Sequence, residues 1–110
     1  MKLMFLALAL TQDNPDYARC VVSTSDYIAA SVQGCADEQA KRLEPSAAAA
    51  QEIAIAATVN CRAVLNDARS RLNICEAGLG SGDFIKRMED VLRDKVIRAV
   101  VEIRAKRATP

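Results

Sequence analysis

The sequence contains no histidine and no tryptophan, and its aromatic residues are two tyrosines and two phenylalanines. Without histidine, neither a Ser-His-Asp triad nor a Cys-His pair can be built. The same absence removes the imidazole ligand that many zinc sites use. We therefore expect a protein that is not an enzyme and that holds neither a metal ion nor a cofactor.

Large side chains for a thick hydrophobic core are scarce. Apolar residues make up 51% of the 110-residue chain, but many of them are alanine. A single domain of this length buries only roughly 60–70% of its unfolded surface, so covalent cross-links would add useful stability. This composition favours an all-α fold in which helices approach each other closely through small residues.

The charge of the chain is small but unevenly placed. A net charge of +1 gives no overall attraction to nucleic acid, and we expect no nucleic-acid partner. Residues 11–45 hold three basic and six acidic residues, whereas residues 81–110 hold eight basic and five acidic residues. The simpler interpretation is that these two segments lie side by side. A basic face reserved for a partner is the alternative.

The segment MKLMFLALAL at the start of the chain has the pattern of a secretory signal. A lysine precedes eight apolar residues, and Ala7 and Ala9 have the spacing of a signal-peptidase site. The segment is shorter than the usual signal, so we interpret residues 1–12 as a truncated leader, with the first turn of an ordinary helix as the alternative. Because a membrane span needs about 20 apolar residues, we expect none in this chain.

Start and stop signals predict three helices within a single domain over residues 13–110. Pro15 suits the first helical position, and Pro45 ends the first helix because it disfavours a helical conformation at the preceding residue. Ser46 is the expected cap of the second helix, and Gly78 ends it at the start of a flexible GLGSG linker. The predicted helices cover about 15–43, 47–77 and 83–106.

Helix geometry selects one pairing of the four cysteines. Two cysteines fifteen residues apart on one helix are about 22 Å apart, whereas a disulfide needs about 5.5 Å between Cα atoms. That excludes Cys20 with Cys35 and Cys61 with Cys75. Pairing 20 with 61 and 35 with 75 requires parallel helices and a long connection, for which there is no room. The prediction is therefore Cys20–Cys75 and Cys35–Cys61 across an antiparallel helical hairpin that turns near Pro45.

If these bridges form, two single substitutions should differ strongly in their effect on the folding stability of the protein. Loss of the inner bridge by Cys35→Ala removes a large share of the stability of so small a domain. By contrast, Arg104 is placed by its sequence pattern on a solvated helix end, so we expect Arg104→Ala to leave stability almost unchanged.

A functional use of the cysteines is the alternative to the structural one. Zinc sites show closer cysteine pairs, and redox enzymes show CxxC or a thiol activated by a neighbouring base. The GLGSGD stretch lacks the GK[ST] ending of a phosphate-binding loop. A small thiol redox or metal-binding protein therefore remains the second hypothesis for function.

The predicted third helix has a broad apolar face. The simpler interpretation is that it packs in the groove of the hairpin, and the alternative is that part of it docks a protein partner or a second copy. The candidate partner-binding residues are Ile97, Val101, Arg98 and Arg104. We expect a small exported module, periplasmic or secreted, that binds without catalysis as an inhibitor, adaptor or envelope-associated protein.

Overall fold

The computed structural model of the protein describes residues 15–108, which form four α-helices and one 3₁₀ turn. The predicted leader over residues 1–12 lies outside the described residues. The 3₁₀ turn covers Glu44–Ser46 and follows α1 directly. The α-helices are α1 (Pro15–Leu43), α2 (Ala50–Asn60), α3 (Arg62–Cys75) and α4 (Gly82–Ala108).

The helices are arranged up, down and up. Helix α1 runs antiparallel to the α2–α3 pair, because Cys20 near its start is bonded to Cys75 at the end of α3. Helix α4 then returns parallel to α1 and packs against both arms of the hairpin. This arrangement confirms the predicted all-α fold, an antiparallel hairpin cross-linked by two disulfides with a third amphipathic helix packed on it.

The second arm of the hairpin is interrupted at Cys61, where we predicted one helix over 47–77. The Cys61 backbone has φ −94° and ψ 8°, which lies outside the helical range and separates α2 from α3. One turn earlier, the Thr58 hydroxyl donates a hydrogen bond to the Ala54 carbonyl oxygen at 3.0 Å. Such a bond competes with the helix ladder, which gives a local cause for the interruption at Cys61.

Helix α2 begins three residues later than predicted. The Ser46 hydroxyl donates to the Leu43 carbonyl oxygen at 2.7 Å, and it accepts a hydrogen bond from the Ala48 N–H. Ser46 therefore closes the turn and does not cap α2, whose N-cap is Ala49. Ala47 has φ 64°, in the left-handed region that non-glycine residues rarely adopt.

The core is a narrow band of small and branched side chains, and it lies where α1, the second arm (α2 and α3) and α4 meet. Helix α1 contributes Ile28 and Val32 together with two fully covered alanines. The second arm contributes residues of both α2 and α3 together with Cys61, and α4 places its Leu92, Val96 and Val100 against both arms. The buried residues of the second arm are Ile53, Ala54, Ala57, Cys61, Leu65, Ala68 and Leu72.

The linker between α3 and α4, predicted to be flexible, is held by one side chain. Asn73 Oδ1 accepts hydrogen bonds from the backbone N–H groups of Gly78 at 3.2 Å and Gly80 at 2.9 Å. Gly80 is buried and Leu79 is half-buried against the core. An asparagine that satisfies two loop N–H groups orders a turn of this kind, which a glycine-rich composition does not reveal.

We predict opposite effects for alanine at two glycines. A Cβ on Gly80 would meet the carbonyl oxygen of Arg69 and lie 3.0 Å from its carbonyl carbon, so Gly80→Ala is expected to cost about 1–2 kcal/mol of folding stability. A Cβ on Gly34, inside α1, meets nothing within 4 Å. Gly34→Ala is therefore expected to stabilise by about 0.5–1 kcal/mol. Urea denaturation of both variants tests this, and equal shifts would contradict it.

Candidate functional site

Both disulfides join α1 to the opposite arm of the hairpin. Cys20–Cys75 has a Cα–Cα distance of 5.6 Å, and Cys35–Cys61 has one of 6.2 Å. All four cysteines are thereby bonded, and Cys61 is completely covered by its neighbours. Neither pair therefore presents a thiolate for metal binding or nucleophilic attack, and the inner pair is shielded from a large partner.

Polar and aromatic contacts surround the outer bridge. The Thr24 hydroxyl lies 3.5 Å from the Cys75 sulfur. The Arg71 guanidinium lies 4.0 Å from the centre of the Tyr27 ring, a cation–π contact between α3 and α1. A hydrogen bond to the Glu76 carboxylate raises the pKa of Tyr17 above its ordinary value. These contacts join the same two helices as the bridge, so we interpret them as structural.

Residues 15–108 contain neither a metal-binding cluster nor a membrane-spanning helix. There, no group of three or more cysteine or carboxylate side chains is placed to hold a metal ion. In the same part of the chain, no helix combines the length and apolar character needed to cross a bilayer. The two intramolecular disulfides fit a protein that matures in an oxidising compartment.

A buried carboxylate lies at the turn of the hairpin. The Glu44 side chain is 2% exposed, and the Arg107 guanidinium holds both of its oxygens, with Nη2 2.7 Å from Oε2. Arg104 Nη2 donates to the carbonyl oxygens of Glu44 at 3.1 Å and Ala48 at 2.7 Å. We call Glu44, Arg104 and Arg107 the turn clamp. It fixes the carboxyl end of α4 to the connection between α1 and α2.

The four predicted partner-binding residues fall into different surroundings. Arg104 belongs to the turn clamp, so its guanidinium is already committed to internal acceptors. Ile97 is half-buried against the core. Arg98 is 79% exposed and forms an ion pair with Asp94, one turn earlier on α4. Val101 is 55% exposed. Of the four, Val101 and Arg98 are therefore available to a partner.

The structure adds two exposed apolar residues that the sequence reasoning did not select. Ile55 and Val59 lie one turn apart on α2 and are 59% and 57% exposed. We call Ile55, Val59 and Val101 the outer apolar surface. Its α2 part was detectable, because Ile55 and Val59 lie off the helical stripe formed by Ala50, Ala54, Ala57 and Cys61. The alanine-rich sequence around them indicates a helix but not which of its faces is exposed.

The two helices that carry this surface are in contact. Helices α2 and α4 pack against each other in antiparallel directions. The contact between Arg104 and the Ala48 carbonyl oxygen places these two residues at the same level along the bundle. Since the two helices are antiparallel, each step back from Arg104 along α4 matches one step forward from Ala48 toward α2. By this register Ile97 is level with Ile55, whereas Val101 lies one turn nearer to the turn clamp and Val59 lies one turn farther from it.

Comparison of the chain with protein-family models, with curated proteins and with solved structures finds no match.

Proposed function

We propose that this protein is a small exported binding module that acts without catalysis, as an inhibitor, adaptor or envelope-associated protein. Its place of action is the periplasm or the space outside the cell. Its partner is another protein or a second copy of the chain. The partner contacts the outer apolar surface formed by Ile55, Val59 and Val101.

The observation that carries this proposal is the exposure of branched apolar side chains on cross-linked helices. Ile55, Val59 and Val101 each leave more than half of their surface in solvent. Two of them follow each other at one-turn spacing, which is the pattern by which a helix presents apolar anchors to a partner. The inner disulfide joins α1 to the end of α2, so little conformational freedom is lost when this surface is covered.

The proposed compartment rests on two further features. Four cysteines consumed in two bridges are typical of proteins that leave the reducing cytosol. The amino-terminal segment has the order of a secretory signal, with a lysine before eight apolar residues. Mass spectrometry of unreduced protein from its natural host tests this directly. We expect a chain that starts between residues 8 and 14 and contains both bridges, whereas four free thiols would support the redox or metal alternative.

Cross-linking in the natural host tests the surface. We expect the protein to form one adduct of discrete mass, and we expect the paired substitution Val59→Asp with Val101→Asp to abolish that adduct. Two carboxylates at these positions would have to be desolvated in the interface, which is strongly unfavourable without cationic partners. An adduct at twice the monomer mass identifies a second copy as the partner, and any other discrete mass identifies a different protein.

Ile74 offers a matched control for that substitution. It is an exposed apolar residue, 79% in solvent, and it lies on α3 at the far end of the hairpin from the turn clamp. Ile74→Asp is expected to leave the adduct unchanged. The proposal fails if the wild-type protein forms no discrete adduct. It also fails if Ile74→Asp and the paired substitution reduce the adduct equally.

A further inference from the structure

An apolar groove runs between α1 and α4 at the end of the bundle away from the turn clamp. Its cavity has a volume of about 220 Å³ and reaches Leu72 of α3 at its base. One wall comes from α1 and the other from α4, where the lining residues follow each other at one-turn spacing over about 16 Å. The apolar residues that matter here are Ile28, Ala29, Leu72, Phe84, Met88 and Val91.

A single cation, Lys95, lies at one end of this row. Its Nζ is a hydrogen-bond donor to Gln33 Oε1 at 2.8 Å. The Gln33 amide group in turn donates to Asp37 Oδ1 at 3.0 Å, which fixes the orientation of Gln33 with its oxygen toward Lys95. An ammonium group has three N–H donors, and one of them is used in the hydrogen bond to Gln33. Among residues 15–108 no carboxylate forms an ion pair with Lys95, so two donors of a half-buried cation remain for a ligand.

We propose that the α1–α4 groove binds the free anion of a medium-length, straight-chain fatty acid. The carboxylate accepts hydrogen bonds from Lys95 Nζ, and the alkyl chain lies along Met88 and Phe84 toward the amino end of α4. An apolar cleft with one convergent charged group is the usual form of a small-molecule site. The groove is elongated and has its positive charge at one end. A fatty-acid anion matches it, because it is a linear apolar chain with its negative charge at one end.

The size of the groove sets the length of the chain. At about 30 Å³ for each water-sized group, the cavity has room for about seven such groups. Octanoate is therefore the probe of choice. Each methylene that enters the groove is expected to raise the affinity about fourfold, up to the length at which the groove is full. Longer chains should gain nothing further.

This site shares no residue with the outer apolar surface. The groove residues Met88, Val91 and Lys95 line a cavity with α1, whereas the outer apolar surface lies on α2 and further along α4. Binding of a fatty acid can therefore be present or absent whatever the outcome of the cross-linking test. The two proposals are tested by separate substitutions and separate measurements.

The test uses the methyl group of Met88 as a reporter. Met88 is the one methionine among the described residues, so protein labelled at methionine methyl groups gives an assignable NMR signal in the groove. We expect octanoate to shift this signal saturably, hexanoate to bind more than tenfold more weakly, and octanol to bind more weakly than octanoate at the same chain length. Equal affinity for octanoate and octanol would overturn the proposal, as would the absence of a saturable shift.

Three variants separate the parts of the site. Lys95→Met is expected to reduce the affinity for octanoate to that for octanol. Lys86 is an exposed lysine nine residues earlier on α4, and Lys86→Met should leave the affinity unchanged. Ala29→Phe fills the groove and should abolish binding of both ligands, with far-UV circular dichroism to check that the variant is folded. Vesicles of phosphatidylglycerol form the last arm. Binding to vesicles without binding to octanoate would assign Lys95 to a membrane surface and overturn the proposal.

Discussion

Removal of the inner bridge, by Cys35→Ala together with Cys61→Ala, is expected to lower the free energy of unfolding by about 3–5 kcal/mol. The bridge spans 26 residues of sequence, and the chain-entropy relation assigns a loop of that length about 3.5 kcal/mol. For a domain whose total stability is about 5–15 kcal/mol, this change removes a large fraction. Both cysteines are replaced so that no free thiol remains to exchange with the outer bridge.

Loss of packing adds to the loop-entropy cost of removing the inner bridge. Cys61 is fully covered in the centre of the core, between Ala57 and Leu65 on successive turns of the second arm. Replacement by alanine deletes a buried sulfur and leaves a cavity in a tightly packed seam. The outer bridge spans 55 residues and has a somewhat larger entropy term, but its cysteines are only half-buried. We therefore expect Cys20→Ala with Cys75→Ala to cost no more than removal of the inner bridge.

Urea denaturation followed by far-UV circular dichroism measures this effect, with Arg98→Ala as the control. The Arg98 side chain is 79% exposed, and it forms an ion pair with Asp94 on the same helix. Exposed pairs of this kind contribute about 0.3–0.5 kcal/mol. If the paired alanine variant and Arg98→Ala show the same denaturation midpoint, the disulfides are not what holds this fold together.

The hairpin was predictable because two independent kinds of information agree on it. Pro15 and Pro45 mark the ends of α1 by local stereochemistry, and the cysteine spacings centre on the same turn by helix geometry. The effect of proline on the backbone is limited to neighbouring residues, and the reach of a disulfide is fixed by its covalent geometry. That is why the pairing and the end of α1 at Leu43 follow from the sequence without knowledge of how the helices pack.

Some of the missed features are local backbone details, and others depend on contacts between distant parts of the chain. The interruption at Cys61 and the turn bond of Ser46 are backbone choices that helix propensity does not resolve in an alanine-rich stretch. Arg104 is the clearest case. Its spacing on α4 places it among solvated charges, but the return of α4 along α1 brings it to the carbonyl oxygens of Glu44 and Ala48. No local pattern contains that information.

For this reason we expect Arg104→Ala to cost about 2–3 kcal/mol, in place of the near-zero effect that the sequence pattern suggests. The substitution removes two charge-assisted hydrogen bonds to backbone carbonyl oxygens at the turn. It also removes a cation 3.8 Å from the Glu44 carboxylate, which is almost completely buried. Arg107 keeps its two contacts with the Glu44 carboxylate in this variant. The larger part of the cost therefore comes from the carbonyl oxygens of Glu44 and Ala48, which lose a charged donor at a partly buried turn.

Arg104→Lys and Lys106→Ala distinguish hydrogen bonding at the turn from general charge. An ammonium group keeps the charge but lacks the planar fork, so Arg104→Lys is expected to recover only part of the lost stability. Lys106 has an exposed ion pair with Glu102 at 3.2 Å, and its removal should cost less than about 0.5 kcal/mol. At about 1 M salt, where the Debye length is about 3 Å, the difference between Arg104→Ala and Lys106→Ala should persist. Disappearance of that difference in salt would mean that Arg104 acts through surface charge and that the turn clamp does not stabilise the hairpin.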